Sequence, residues 1–397
     1  MKPFICSAIL YLGLIGGSTM GLYAQTENGE TNSIVADTAA TPHIKEQKTN
    51  IFQKVLNYFE NSNKPEPDKK FDFGILGGPH YSSTTKLGIG IVASGSYRMR
   101  NDSITRRSNV SLYGDATTSG FLLIGLRGNN IFPENRYRID YDFFLYTFPS
   151  DFWGIGYTNG NNNANKSSYN RLETILRVDW LAQFHKYLYG GISTGFNWVK
   201  GSDFTKPQLL VGEAHEVTST SLGVTLIYDS RDFITNAAKG IYVRINQRFF
   251  PEFLGNKNPF TRTDFTFDNY HRLWEGAILA FDLNGEFNYG KVPWNMLATL
   301  GGSSRMRGYY EGRYRDKNSI EAQIELRQHI WHRNGIALWV GAGNVFPSFD
   351  RFQWNHTLPN YGIGYRWEFK DRVNIRIDYG FGKKGQSGFI FNINEAF

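Results

Sequence analysis

The chain has 397 residues, a formal net charge of +7, 16% aromatic side chains, 42 glycines and one cysteine. A mean hydropathy of -0.41 excludes a bundle of apolar membrane helices, and no Lys/Arg run has the length or aromatic interleaving of a nucleic-acid site. Many aromatics, many glycines and moderate polarity suit a sheet with one face in hydrocarbon and the other in water.

Met1 to Ala24 reads as a secretory signal peptide. Lys2 is followed by an apolar stretch from Phe4 to Ile15 and then small residues, with cleavage expected after Ala24. The apolar stretch is too short to span a membrane as a helix. Cys6 lies too early to accept a lipid, so no lipid anchor is expected, and the mature chain would lack cysteine. Residues 25–70 read as a periplasmic linker. Its first part, to about Pro42, is polar and aperiodic. Within 44–59, Ile51, Phe52, Val55, Leu56 and Phe59 fall at helical spacing and predict one short amphipathic helix, ended by the two prolines in 61–70. The helix is expected to pack under a barrel mouth, with docking to a partner or to the membrane surface as the alternatives.

From Phe71 to Phe397 the dominant period is two. In Leu279–Tyr289, Leu279, Phe281, Leu283, Phe287 and Tyr289 point one way, and Asp282, Asn284, Glu286 and Asn288 the other. Val373–Phe381 and Ile320–Ile330 alternate in the same manner. A sealed protein core does not hold repeated charges cheaply, and a sheet in lipid must close so that its backbone groups are paired. The fold class is therefore all-β, a 16-stranded antiparallel transmembrane β-barrel. Its strands are expected near 71–81, 87–100, 108–116, 120–129, 136–147, 168–183, 187–199, 218–229, 240–250, 262–274, 277–289, 318–332, 335–346, 359–370, 372–381 and 386–396. Residues 148–167, 201–216, 251–261 and 290–317 are expected as loops, and turns such as Arg333-Asn334-Gly335 as periplasmic.

The loop 290–317 contains Gly301-Gly302-Ser303-Ser304-Arg305-Met306-Arg307-Gly308-Tyr309-Tyr310. Here the sequence resembles the BamA/TamA superfamily, or bacterial surface antigen family, whose sixth outer loop carries a Gly-Gly-Ser stretch and then Arg-Gly-Phe/Tyr. Further matches follow the family's order. They are Asp229-Ser230-Arg231-Asp232 with Gly240, Gly343-Asn344-Val345-Phe346, Arg376-Ile377-Asp378-Tyr379-Gly380, and the last strand from Gly388 to Phe397. The resemblance covers about 71–397.

The resemblance implies a loop folded back into the lumen, with Arg307, Gly308 and Tyr309 as its motif and Glu325 as the lock partner of Arg307. It also makes Phe389, Phe391 and Phe397 a C-terminal barrel signal. An arginine brought into a lumen needs a carboxylate, because an unpaired charge away from bulk water is costly, and its planar fork favours a bidentate one. One departure is Gly341, where the family carries an acid. Either the loop is held less tightly, or another lumen carboxylate such as Asp378 substitutes. The other departure is at the front: the 46 residues 25–70 are too few for a POTRA domain.

The function implied is assistance in insertion, assembly or translocation of outer-membrane or secreted proteins, from the outer membrane. The partners are the lipid bilayer, unfolded barrel clients and periplasmic assembly subunits. A weak seam between the first and last strands would offer an edge to an incoming strand, with Gly74, Gly77, Gly78 and Pro79 weakening the first strand's side. The alternative is a passive pore or a structural subunit of an envelope complex. No catalytic motif, cofactor or metal site is read: the eight histidines are scattered, and Gly88/Gly90 and Gly362/Gly364 mark close packing or curvature rather than phosphate binding.

Overall fold

Alternation of apolar and polar residues puts the two side-chain sets on opposite faces of an extended chain, and the sheet follows from it. The computed structural model describes residues 71–82, 86–100, 104–370 and 372–397. The signal peptide, the linker and its helix lie outside the described residues.

The strands in the first half are β1 (Phe71–Ser82), β2 (Lys86–Tyr97), β3 (Ser108–Thr117), β4 (Leu122–Ile131), β5 (Tyr137–Phe152), β6 (Ser167–His185), β7 (Leu188–Ser202) and β8 (Glu216–Asp229). Next come β9 (Gly240–Phe250), β10 (Phe260–Trp274), β11 (Ala277–Gly290), β12 (Ala298–Leu300) and β13 (Tyr314–Asp316). The chain ends with β14 (Asn318–Trp331), β15 (Asn334–Phe346), β16 (Leu358–Lys370), β17 (Val373–Gly382) and β18 (Ser387–Ile393). Sixteen of these form one sheet in chain order, each antiparallel to its neighbour, while β12 and β13 form a separate hairpin inside the long loop.

Most boundaries shift by up to three residues from the sequence expectation, and two of the differences have a visible cause. β5 continues through Phe148–Phe152, where Pro149 and polar neighbours read as loop, because Pro149 stands opposite Asn170 and the ladder to β6 runs on to Ser167. β18 stops at Ile393 rather than 396, where Asn394 adopts a φ of 68°.

The outer face is apolar. Ile89, Ile91, Leu112, Ile124, Leu176, Ile192, Val224, Ile324, Val340 and Ile363 all project outward and exposed. A band of this size on every part of the sheet suits hydrocarbon, not water. Trp274 and Trp331 stand at its short-turn end, at the level where indole rings prefer the interface. The inner face carries the charges: Arg138, Asp179, Arg248, Asp282, Glu325, Arg366 and Asp378 are all buried there. Turns of two residues separate β6 from β7 and β10 from β11 at one end, whereas the 291–317 connection lies at the other. Barrels of this kind place short turns in the periplasm and long loops outside.

One turn at the short-turn end is longer and crosses the mouth. Asp229, at the end of β8, is fully buried and accepts from Arg231 Nε at 2.9 Å and Nη2 at 3.0 Å. Arg138 Nη1 from β5 donates to it at 3.1 Å, and Arg106, between β2 and β3, approaches within 3.6 Å. On the far side, Asp232 Oδ2 lies 3.2 Å from Arg372, which follows β16. Residues from both halves of the sheet thus converge on the segment 229–239, so the sheet curls around it. Gly240 closes this turn at a φ of 110°, where a Cβ would stand 2.5 Å from the Ser230 carbonyl oxygen.

Asp229→Ala should leave three guanidinium groups without their shared carboxylate and cost about 3–5 kcal/mol. The expected result is a clear drop in the temperature at which the folded band disappears in heat-modifiability electrophoresis. An unchanged transition would show that the turn does not hold the mouth together.

Candidate functional site

The loop between β11 and β14 is built to enter the lumen. Its two arms pair as β12 and β13, with Leu300 opposite Tyr314. The tip between them carries Arg305, Arg307 and Tyr309. Met306 packs with Leu300, Tyr309 and Tyr314 from the loop and with Val345 and Leu358 from the wall. This small apolar cluster fixes the height at which the arginines meet the sheet.

Arg307 is fully buried. Its Nη1 donates to Asp378 on β17 at 2.7 Å, and its Nη2 donates to Glu325 on β14 at 2.5 Å and to Gln323 Oε1 at 3.3 Å. The guanidinium lies 3.6 Å from the centre of the Trp339 ring on β15, a stacking suited to its planar charge. The Arg307 carbonyl accepts from Asn360 Nδ2, whose Oδ1 in turn accepts from Trp339 Nε1 at 3.1 Å. One side chain is therefore held by three strands of the wall.

The wall facing the tip is made of glycine. A Cβ on Gly308, which has a φ of 105°, would lie 2.6 Å from the Gly380 carbonyl oxygen. A Cβ on Gly380 would lie 2.2 Å from the Arg307 oxygen, and one on Gly382 would enter the Tyr309 ring. The backbones approach this closely because neither side carries a side chain. The Tyr309 hydroxyl completes the contact, donating to the Pro359 carbonyl at 2.6 Å and accepting from the Lys383 N–H at 2.7 Å. Gly341 leaves its space to the Gln323 side chain, and the second carboxylate on Arg307 is Asp378 on β17.

Sequence reasoning misses Arg305 as a site residue. It grips the buried Asp282 on β11 through Nε at 2.8 Å and Nη2 at 2.7 Å. Arg376 also holds the loop, from Nη2 to the Ser303 carbonyl at 2.8 Å, while its Nη1 reaches Asp378 at 3.0 Å. A signal for both exists: Asp282 and Arg376 fall on the inward period of their strands.

The other residues singled out from sequence lie elsewhere. Phe389 and Phe391 project from the outer face of β18, 60% and 57% exposed. Phe397 is separate from them, against Tyr270 with ring centres 6.3 Å apart, on the inner side. Gly77, Gly78 and Pro79 stand on β1 opposite Ile91, Gly90 and Ile89 of β2. β1 and β18 are the two ends of the strand order, and among the described residues no ladder joins them.

The loop also meets its neighbours at the outer end. Arg313 Nε donates to the Gly160 carbonyl at 2.8 Å, Gly156 N–H to the Arg315 carbonyl at 2.7 Å, and Trp294 Nε1 to the Ala214 carbonyl at 2.9 Å. Tyr157 stacks on His356 at 4.0 Å and accepts from Lys383 Nζ at 2.9 Å. Four outer segments are thereby tied around the loop.

Known proteins share this architecture. Residues 125–397 match the model of the Omp85 superfamily domain. The fold is similar to that of BamA from Haemophilus ducreyi lacking POTRA domains 1–3, with 14% identity and a TM-score of 0.51 over 81% of this chain and 69% of that one. It is also similar to CdiB from Acinetobacter baumannii (14% identity, TM-score 0.51, 83% of this chain and 60% of that one). For CdiB from Escherichia coli the values are 10%, 0.54, 83% and 63%. No curated protein matches the chain at the level of sequence. A sixteen-stranded sheet with an arginine-bearing loop in its lumen, and a family match over most of its length, make this chain a member of the Omp85 superfamily.

Proposed function

We propose that this protein assists the insertion, assembly or translocation of other outer-membrane or secreted proteins, working from the outer membrane. The observation that carries the reading is the loop lock: Arg307 is shared between Glu325 and Asp378 inside a lumen that the loop occupies. A solute pore does not need its axis filled by a charged plug. A barrel that works through its wall does need a rigid interior against which an edge is held or released.

In this reading the working edge is the seam between β1 and β18. An unpaired strand edge presents a row of N–H and C=O groups that can template an added strand. Gly77 and Gly78 offer no side chains to strengthen the β1 side, and Pro79 has no N–H to give. Unfolded barrel clients and periplasmic assembly subunits are the partners that follow. The lock sits on β14 and β17, the second of which pairs with β18, so the loop and the last strand share a wall.

Depletion of the protein from its host, followed by quantitative proteomics of the outer membrane, tests the function. Several unrelated barrels should fall together while their unfolded periplasmic forms rise. Constant levels of the other barrels, with a change only in solute uptake or in one complex, would return the protein to the passive-pore or structural reading.

The lock itself is tested by variants in the same host. Arg307→Ala leaves two buried carboxylates short of a partner, a local cost of about 3–5 kcal/mol. The barrel should still fold, but client barrels should fall toward the depleted level. Arg307→Lys should not restore them, since an ammonium lacks the planar fork that bridges Glu325 and Asp378. Gly380→Val should act like Arg307→Ala by pushing the loop off the wall. Normal client levels in all three variants would remove the lock from the mechanism.

A further inference from the structure

The last strand stops before the chain does. After Ile393 the chain turns at Asn394 and sends Glu395, Ala396 and Phe397 into the short-turn mouth. The Glu395 side chain is 1% exposed. Its carboxylate accepts from Arg366 Nε at 2.8 Å and Asn374 Nδ2 at 2.6 Å, and lies 3.5 Å from Arg327 Nε. The Phe397 main-chain oxygen accepts from Arg327 Nη2 at 3.0 Å. The Phe397 ring packs beside Ala237, Tyr270 and Ala280.

The two arginines that hold this tail also hold the partners of Arg307. Arg327 Nε donates to Glu325 at 2.7 Å, and Arg366 Nη1 donates to Asp378 at 2.5 Å. Arg307, Glu325, Arg327, Glu395, Arg366 and Asp378 thus alternate in sign around one closed circuit. The end of the last strand and the loop tip are bound through the same two guanidinium groups.

Beside Glu395 lies a cavity of about 340 Å³ among the short turns. Arg272, Arg327, Arg333, Arg366 and Arg372 line it, and among the described residues the carboxylates in the lining are Glu368 and Glu395, with Arg372 also engaged by Asp232. Two of those arginines have binding capacity left. Arg327 Nη1 is buried without a hydrogen-bond partner among the described residues, and Arg366 Nη2 has only a 3.7 Å approach to Glu325. Guanidinium forks read carboxylates, and an excess of positive charge in a walled cleft concentrates anions. Glu395 shows that a peptide carboxylate fits this grip.

We infer that this cavity docks an acidic segment of a periplasmic protein. Its carboxylates compete with Glu395 for Arg327 and Arg366, and the competition frees the tail of β18 from the loop lock. A ligand shifts such an equilibrium only by binding the released state better, and the released state offers it the donors of Arg327 and Arg366 that Glu395 gives up, beside those still held by Glu325 and Asp378. Docking and tail release stand on the geometry; their use in opening the seam rests on the function proposed above.

The test uses the full chain in lipid nanodiscs with Cys6→Ser and Ala396→Cys, and hexaglutamate as the probe. Ala396 is 8% exposed, so its cysteine variant should react slowly with a bulky maleimide. Saturating hexaglutamate should speed the reaction about five- to tenfold, within the range of ordinary coupling between sites, and hexalysine should not. Adding Glu395→Gln should give the fast rate without peptide. In the chain without the Ala396 substitution, fluorescent hexaglutamate should bind, and the pair Arg272→Ala and Arg333→Ala should weaken that binding about tenfold while the barrel stays heat-modifiable. Absence of binding, or binding with no change in labelling, overturns the inference. Equal acceleration by inorganic phosphate at the same concentration also overturns it, by making the cavity a phosphate reader of the kind that takes a lipid headgroup. Client levels under depletion are a separate readout, so the docking site and the assembly function fail independently.

Discussion

A guanidinium taken out of bulk water must be matched by carboxylates in fixed positions, and the arrangement of the lumen follows from that constraint on Arg307. Glu325 and Asp378 supply the charges from two strands that are not neighbours, so the wall between them is set by the arginine that joins them. Trp339 fills the face of the fork, and Asn360 fixes the backbone behind it. Replacing such a cluster with apolar residues need not weaken a protein; removing one member does. The cluster therefore serves position more than stability: it specifies one place for the loop tip.

Glycine makes that place reachable. The tip meets β17 backbone to backbone, with Gly308 against Gly380 and Tyr309 over Gly382. Glycine in a strand forgoes side-chain packing and entropy, a cost repaid here by hydrogen bonds from Arg307, Tyr309 and Asn360 that no bulkier interface would allow. The result is an uneven barrel. The wall from β11 to β17 is bound to the loop by Asp282, Glu325 and Asp378, while β1 has glycines and a proline where it faces β2.

Much of this is legible in the sequence, because a period of two assigns every strand residue to a face. The sixteen strands follow from it, and alternation alone puts Asp378, Asp282 and Glu325 on the inner face. Period gives face but not height. Whether Asp378 or another acid stands level with Arg307 depends on the stagger between β14 and β17, which no single strand encodes. Arg305 escapes sequence reasoning for the same reason, although it lies two residues from Arg307 in the motif. The continuation of β5 through Pro149 is hidden because proline normally interrupts a ladder, and here it stands in one. Phe397 reads with Phe389 and Phe391 as one C-terminal signal; the bend at Asn394 separates it from them. A left-handed asparagine is permitted by its side chain, not required by it, so the bend leaves no mark in the pattern.

The two ends of the lumen bear on how such a barrel can work. At the outer end the loop is tied to segments following β5, β7, β15 and β17; at the inner end the segment 229–239 crosses between Arg106 and Arg372. A path along the axis would have to break contacts at both ends. The function proposed above instead takes a path through the wall, at the edges of β1 and β18. The costs are unequal, because hydrogen bonds and ion pairs in a confined lumen have no bulk water waiting to replace them, whereas an unpaired edge is satisfied by any strand that adds to it. A barrel filled along its axis by its own loop and turn, with its last strand bound by arginines that also bind the partners of Arg307, fits the proposed function better than an open pore.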